Sequence, residues 1–196
     1  MKKVCICFIS ITAVWLLFAG VLLEQESLSA ELIRIHVLAN SDSAEDQAVK
    51  LEVRDAVLSR VTALTKTCGT REEAAQALAG NAEELADVAS AVAGKDVTVS
   101  LSPEWYETRK YETFSLPAGK YLSLRVQIGE AGGHNWWCVA FPAVCTAATT
   151  EEFETVAVSG GLSDSDIRLM TEDDPDVTVR FFLLELFSKL RAALQG

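Results

Sequence analysis

The feature that most constrains this chain is its beginning. Lys2 and Lys3 precede a continuous apolar run from Val4 to Leu23, interrupted only by Ser10, Thr12 and Gly20. At about 1.5 Å per residue, a helix of that length spans about 30 Å, the thickness of a bilayer core. The apolar residues go all the way round, unlike the single stripe of a surface helix. The lysines should stay in the cytoplasm, with Glu24 and Glu26 on the far side, so everything after Glu24 is expected to be exported. Two versions stay open. One is an uncleaved membrane anchor. The other is a signal peptide cut after Leu28-Ser29-Ala30, where leucine is a poor first residue. Residues 1–30 are therefore read as signal peptide or anchor, and 31–196 as one exported domain.

The exported part is long enough to bury a core. With 49% hydrophobic residues, the chain as a whole is not disordered. Its 5 cysteines are too few for a disulfide-dense scaffold. The net charge is −11, and removing Lys2, Lys3, Glu24 and Glu26 with the first segment leaves it unchanged. Nucleic acid is excluded as a partner on that balance, and anionic lipid should repel the domain. Membrane contact is expected only through the N-terminal segment.

Hydrophobic spacing sets the elements. Ile33, Ile35 and Val37 alternate with Arg34 and His36, which reads as a half-buried strand from Glu31 to Ala39. Asn40-Ser41-Asp42-Ser43 is a turn, and Ser43 with Asp46 forms a capping box. The following helix runs to about Leu64, with Val49, Val53, Ala56, Val57, Val61 and Leu64 as its buried stripe. Asp46 and Lys50 are read as an i,i+4 pair on its exposed side. A second helix starts at Thr70 and ends at Gly94, with a kink at Gly80-Asn81. The two should pack as a hairpin. The period then changes. Val97 to Leu101 is a strand that Pro103 should end, and Leu122 to Ile128 is a half-buried strand. Gly129 to Asn135 is a glycine-rich turn, and Trp136 to Phe141 is a fully apolar strand expected at the centre of the sheet. Short helices are expected around Glu151–Glu154 and Ser163–Met170, and an amphipathic helix at Val179–Leu194 closes the chain. The blocks of helices and strands indicate one α+β domain. Its helical hairpin and C-terminal helix should pack on a mainly antiparallel sheet, behind one N-terminal hydrophobic helix.

Few residues have the spacing of a catalytic or metal site. Cys138 and Cys145 flank a short segment containing Pro142. Outside the cytoplasm they either form a disulfide or stay as two buried thiols. A nucleophilic Cys138 would need His36 or His134 as base, yet its apolar strand should raise its pKa and blunt it. No catalytic residue and no cofactor is assigned. The two histidines give no zinc pattern, and the acidic run 172–176 lacks the spacing of a calcium loop, so no metal is expected.

Two polar clusters remain. One holds His36, Asn40, Asp42, Asp46, Gln47, Lys50, Arg54 and Asp55. The other is His134-Asn135-Trp136-Trp137. Adjacent strand tryptophans face opposite ways, so one can enter the core, while the other must cover something or stand exposed, where a Trp commonly anchors a partner.

These segments resemble the stage II sporulation protein R family. The resemblance rests on Leu32 through Ser43 with Glu45-Asp46-Gln47 and Lys50 through Val57. It rests also on Leu116-Pro117-Ala118-Gly119-Lys120-Tyr121, and on Gly132 through Cys145 with its Asn135-Trp136-Trp137-Cys138 core. His134 stands where the family often carries lysine. The resemblance implies a protein made in the forespore and exported into the space between forespore and mother cell. There it would activate a membrane-embedded aspartic protease of the mother cell, which processes the precursor of the early mother-cell sigma factor. The contact residues expected on that reading are His36, Asn40, Asp42, Asp46, Arg54, Asn135, Trp136 and Trp137. The competing class is an exported thiol hydrolase of cell-wall peptides using Cys138 and a histidine.

Overall fold

The computed structural model describes residues 25–147 and 149–171, with isolated positions 12, 19, 20, 23, 185 and 186. Apart from those positions, the apolar segment 4–23, the acidic run 172–176 and the closing helix 179–194 lie outside the described residues. Among the described residues no helix is long and apolar enough to cross a membrane.

The chain runs through β1 (Ile33–Leu38), α1 (Ala44–Thr65), α2 (Arg71–Gly80), α3 (Ala82–Ala93) and β2 (Val97–Tyr106). Then come β3 (Arg109–Lys110), β4 (Ser115–Leu116), β5 (Gly119–Ile128) and β6 (Asn135–Phe141). A 3-10 turn (Val144–Thr146), α4 (Thr150–Ser159) and α5 (Asp164–Thr171) follow. The helix starts have local causes. Ser43 Oγ accepts from the Asp46 N–H, Thr70 Oγ from Glu73 and Thr149 Oγ from Glu152, filling donors that a first turn leaves unpaired. Glu73 does not return to the N–H of Thr70 as a capping box would; it accepts instead from the Gly69 N–H, one residue earlier, at 2.8 Å. Gly94, at φ 60°, ends α3 in the left-handed conformation that a side chain resists. At Gly80-Asn81 the expected single helix is two. Asn81 turns its amide back onto the Ala77 carbonyl at 2.7 Å and opens a new helix at Ala82.

The main sheet has the order β2-β5-β1-β6. β2 with β5 and β1 with β6 are antiparallel, while β1 and β5 are parallel. The class is α+β, as the patterning indicates. Three expectations need correction. Pro103 does not end β2, which continues to Tyr106. β2 is an edge strand, where a missing N–H costs no ladder bond. The apolar β6 is an edge strand too, and not central. Its Cys138 to Phe141 are buried because α1 packs against it and the 3-10 turn covers its outer rim. The inner strands are β5 and β1, and all six residues of β1 are buried, Arg34 and His36 included.

The register explains that burial. Ile33, Ile35 and Val37 lie level with Leu122, Leu124 and Val126, and the latter two with Leu101 and Val99. This apolar face meets Val53, Val57 and Val61 of α1 and Leu85 and Ala89 of α3. The opposite face carries Arg34, His36, Tyr121, Ser123, Glu104 and Tyr106. The β3–β4 segment and α4 close over part of it. Tyr111 stacks on Phe114 at 4.6 Å, and Phe114 on Phe153 of α4 at 5.0 Å.

Candidate functional site

The two polar clusters meet at one end of the sheet. β1 ends at Leu38, and Ala39 and Asn40 offer their carbonyls to Gly133 and Gly132 at 3.0 and 3.1 Å. The approach is so close that a Cβ on Gly133 would lie 2.2 Å from the Ser41 carbonyl oxygen. Glycine there is a condition of the junction. Asn40 clamps both sides, donating to Asp46 at 2.8 Å and accepting from the Glu130 N–H at 3.0 Å. Asp46 also takes the Ser41 hydroxyl. The Ser41 and Asn40 bonds hold its carboxyl below the ordinary carboxylate range. Asp42 accepts from both the backbone N–H and the ring of His134, which lower its pKa in the same way.

Asp46 and Lys50 are therefore not an exposed pair. They are 8% and 6% exposed and hold different partners. Lys50 donates to Gln47 at 2.6 Å and to the His134 carbonyl at 3.1 Å, and burial lowers its pKa. These contacts tie α1 to the start of β6. The helix turns its charged side inward because the glycine turn packs on it.

The tryptophans divide between the faces, as strand geometry requires, but neither is fully exposed or fully buried. Each is roofed by an arginine. Arg54 stands 5.2 Å from the Trp136 ring, and Arg109 3.8 Å from Trp137. Arg54 also pairs with the exposed Asp55 at 2.8 Å.

His36 lies on the other face, stacked on Trp137 at 5.3 Å. Its Nδ1 lies 2.9 Å from Glu104 Oε1. Ser123 donates to Glu104 Oε2 at 2.9 Å and accepts from the Tyr106 hydroxyl at 2.6 Å, which lies 3.3 Å from the same carboxylate oxygen. Burial pushes His36 below its ordinary pKa, against the pull of Glu104 and with help from Arg125. Burial pushes the Tyr106 phenol up. Arg34 is wholly buried, bonded to the Tyr111 hydroxyl at 2.6 Å and stacked 3.9 Å over Tyr106. Among the described residues its Nε and Nη1 have no hydrogen-bond partner, nor do His36 Nε2 and Asn135 Oδ1. The trio of His36, Glu104 and Ser123 is not a nucleophile relay. Ser123 is wholly buried and donates to Glu104, away from the imidazole.

The expected contact residues thus fall into two sets. Asn40, Asp42, Asp46, Arg54 and Trp136 belong to the junction with α1. His36, Asn135 and Trp137 belong to the polar face. Cys138 and Cys145 are joined as a disulfide with Cα atoms 6.1 Å apart. The Cys138 side chain shares its face with Ile35, opposite the His36 ring, so the thiol–histidine pair of a hydrolase is not assembled. Among the described residues no group of three or more His, Cys, Asp or Glu is placed to hold a metal. Glu104, Arg109 and Arg34 escaped the sequence reading. Glu104 follows Pro103 in a stretch without clean alternation, and Arg109 carries no periodic signal at all.

Comparison with known proteins places the chain. The family model described as stage II sporulation protein R matches residues 29–151. The stage II sporulation protein R of Bacillus subtilis (strain 168) is 29% identical over 182 residues, covering 82% of this chain and 81% of that protein. No solved structure matches.

Proposed function

The chain belongs to the stage II sporulation protein R family, and from that premise we propose that it is an exported signal of sporulation. On this reading it is made in the forespore and crosses the forespore membrane by its leading apolar segment. It then acts on a membrane-embedded aspartic protease of the mother cell. The protease, once active, removes the pro-sequence of the early mother-cell sigma factor. The signal works by population shift: it binds the active form of the protease more tightly than the inactive form.

One observation carries the reading. The two segments that resemble the family most closely converge on one rim, through Asp42 to His134, Lys50 to His134 and Arg54 over Trp136. A rim built from two distant segments, with no thiol–histidine pair beside it, suits a ligand for a receptor. The Cys138–Cys145 bond suits an oxidising compartment.

The test is reconstitution in a non-sporulating bacterium. The chain is co-expressed with the cognate membrane protease and its pro-sigma substrate, with and without residues 1–30, and cleavage is read by blot. Cleavage that needs the leader and both proteins is the expected outcome. Exported, folded protein beside a competent protease with no cleavage would sink the direct-activator reading.

A further inference from the structure

The outer edge of β6 has one stretch that nothing among the described residues pairs with. Val139 shows which way the strand faces there. Its N–H lies 3.0 Å from Cys145 Sγ and its carbonyl oxygen 2.9 Å from the same sulfur. Both groups therefore point away from β1, and the disulfide loop covers them. Trp137 sits two residues earlier in the same register, opposite His36 as Val139 is opposite Arg34. By the two-residue period its N–H and carbonyl also point outward. No backbone partner for them exists among the described residues. Such an edge is a template for an added strand.

The side chains flanking it select the strand. Arg109 covers Trp137 on one face and Arg54 covers Trp136 on the other. Arg109 has no ion-pair partner among the described residues, and Arg54 has only Asp55, whose side chain is 68% exposed. An exposed pair of that kind is weak and easily exchanged. In a chain of net charge −11, this edge is a local cationic clamp on a background that repels acidic segments elsewhere.

We propose that the β6 edge at Trp137 is a docking site for an extended acidic segment of the partner protein, added antiparallel or parallel to β6. Two neighbouring acidic residues of that segment point to opposite faces. One reaches Arg109 over Trp137 and the other reaches Arg54 over Trp136. The inference takes from the signalling reading only that a protein partner exists.

The test uses the full chain in neutral detergent micelles and a labelled synthetic hexapeptide, Thr-Val-Glu-Asp-Val-Thr with blocked ends, read by fluorescence anisotropy. The expected result is saturable binding that weakens at least tenfold in three cases. These are replacement of the peptide's acids by lysines, N-methylation of its alternate amides, and the Arg54→Glu/Arg109→Glu double variant. Arg54→Lys and Arg109→Lys, which keep the charge, should retain most of it. Trp105→Ala, on the opposite edge strand, should leave it unchanged. Equal binding of acidic and basic peptides, no saturable binding, or loss with Trp105→Ala would each overturn the proposal. So would a self-associating chain whose dimer is what Arg109→Glu disrupts. The protease reconstitution separates the two readings. Absence of cleavage with the wild-type chain fails the signalling reading and leaves the peptide result standing. Wild-type cleavage that survives the double variant, with melting unchanged, overturns the docking site alone.

Discussion

The two faces of the sheet are built from the same strands by opposite means. On one, Ile35, Val37, Leu124 and Val126 meet the valines of α1 and the Leu85 and Ala89 of α3. On the other, Arg34, His36, Tyr106 and Ser123 are also withdrawn from water, with Glu104 half-buried beside them, but they are held by hydrogen bonds and stacked rings. The apolar face derives its stability from buried area, which is indifferent to pH and tolerant of volume-conserving exchange. The polar face gains little net stability per bond, but each unmade bond is costly. The first face holds the domain together, and the second fixes where Trp137 and the β6 edge stand.

The sharpest break of that contrast is a cavity on the apolar side. Ile35→Ala should cost about 3 kcal/mol, read by urea denaturation, with the same loss across neutral and mildly acid pH. On the polar side the effect should be smaller and coupled. Tyr106→Phe should cost about 1–2 kcal/mol by removing the hydroxyl that donates to Ser123 beside Glu104. Adding Ser123→Ala should then cost less than it does alone, because the two share one network. A double-mutant cycle measures this. Acid separates the faces further. Burial holds His36 below the ordinary histidine pKa of about 6.5, so the unfolded chain takes up the proton first. Stability should fall as pH drops through that value and level off once folded His36 is protonated too. His36→Phe should remove that slope, and Ile35→Ala should keep it; melting temperature against pH decides. The smallest effect belongs to the roof of Trp136. Arg54→Ala should change stability by about 0.5–1 kcal/mol while impairing cleavage in the reconstituted system. A stability loss comparable to that of Ile35→Ala would make Arg54 a core residue.

Much of this was legible in the sequence, and the misses share a cause. The N-caps at Ser43 and Thr70, the stop at Gly94 and the glycine turn before Asn135 depend on residues within one turn of each other. The kinked second helix was also readable, although Asn81 divides it completely. Pattern alone misplaced β6 and β1. An apolar strand at an edge reads as central when a distant loop covers its rim, and that cover comes from Cys145. A strand alternating with Arg34 and His36 reads as half-exposed when its polar side is covered by Tyr106, Tyr121 and Trp137, contributed by three other strands. Asp46 and Lys50 misled for the same reason, since the segment that buries them arrives with His134. Long-range partners decide which face of an element sees water, and spacing within the element does not record them.

The parallel pairing of β1 with β5 sets an order of assembly. β1 comes early in the chain, yet both its neighbours come late. Ile33 waits for Leu122 on one side and Phe141 on the other, and His36 meets Glu104 only after 68 intervening steps of chain. Topologies dominated by such distant pairings close slowly, over about milliseconds to seconds. For a chain threaded N-terminus first through a narrow channel, that delay is useful. The helices can flicker as they emerge, but the sheet has no way to lock until most of the polypeptide has passed. On the proposed export route, the strand order would keep the molecule threadable during transit and tie the appearance of a finished β6 edge to arrival on the far side.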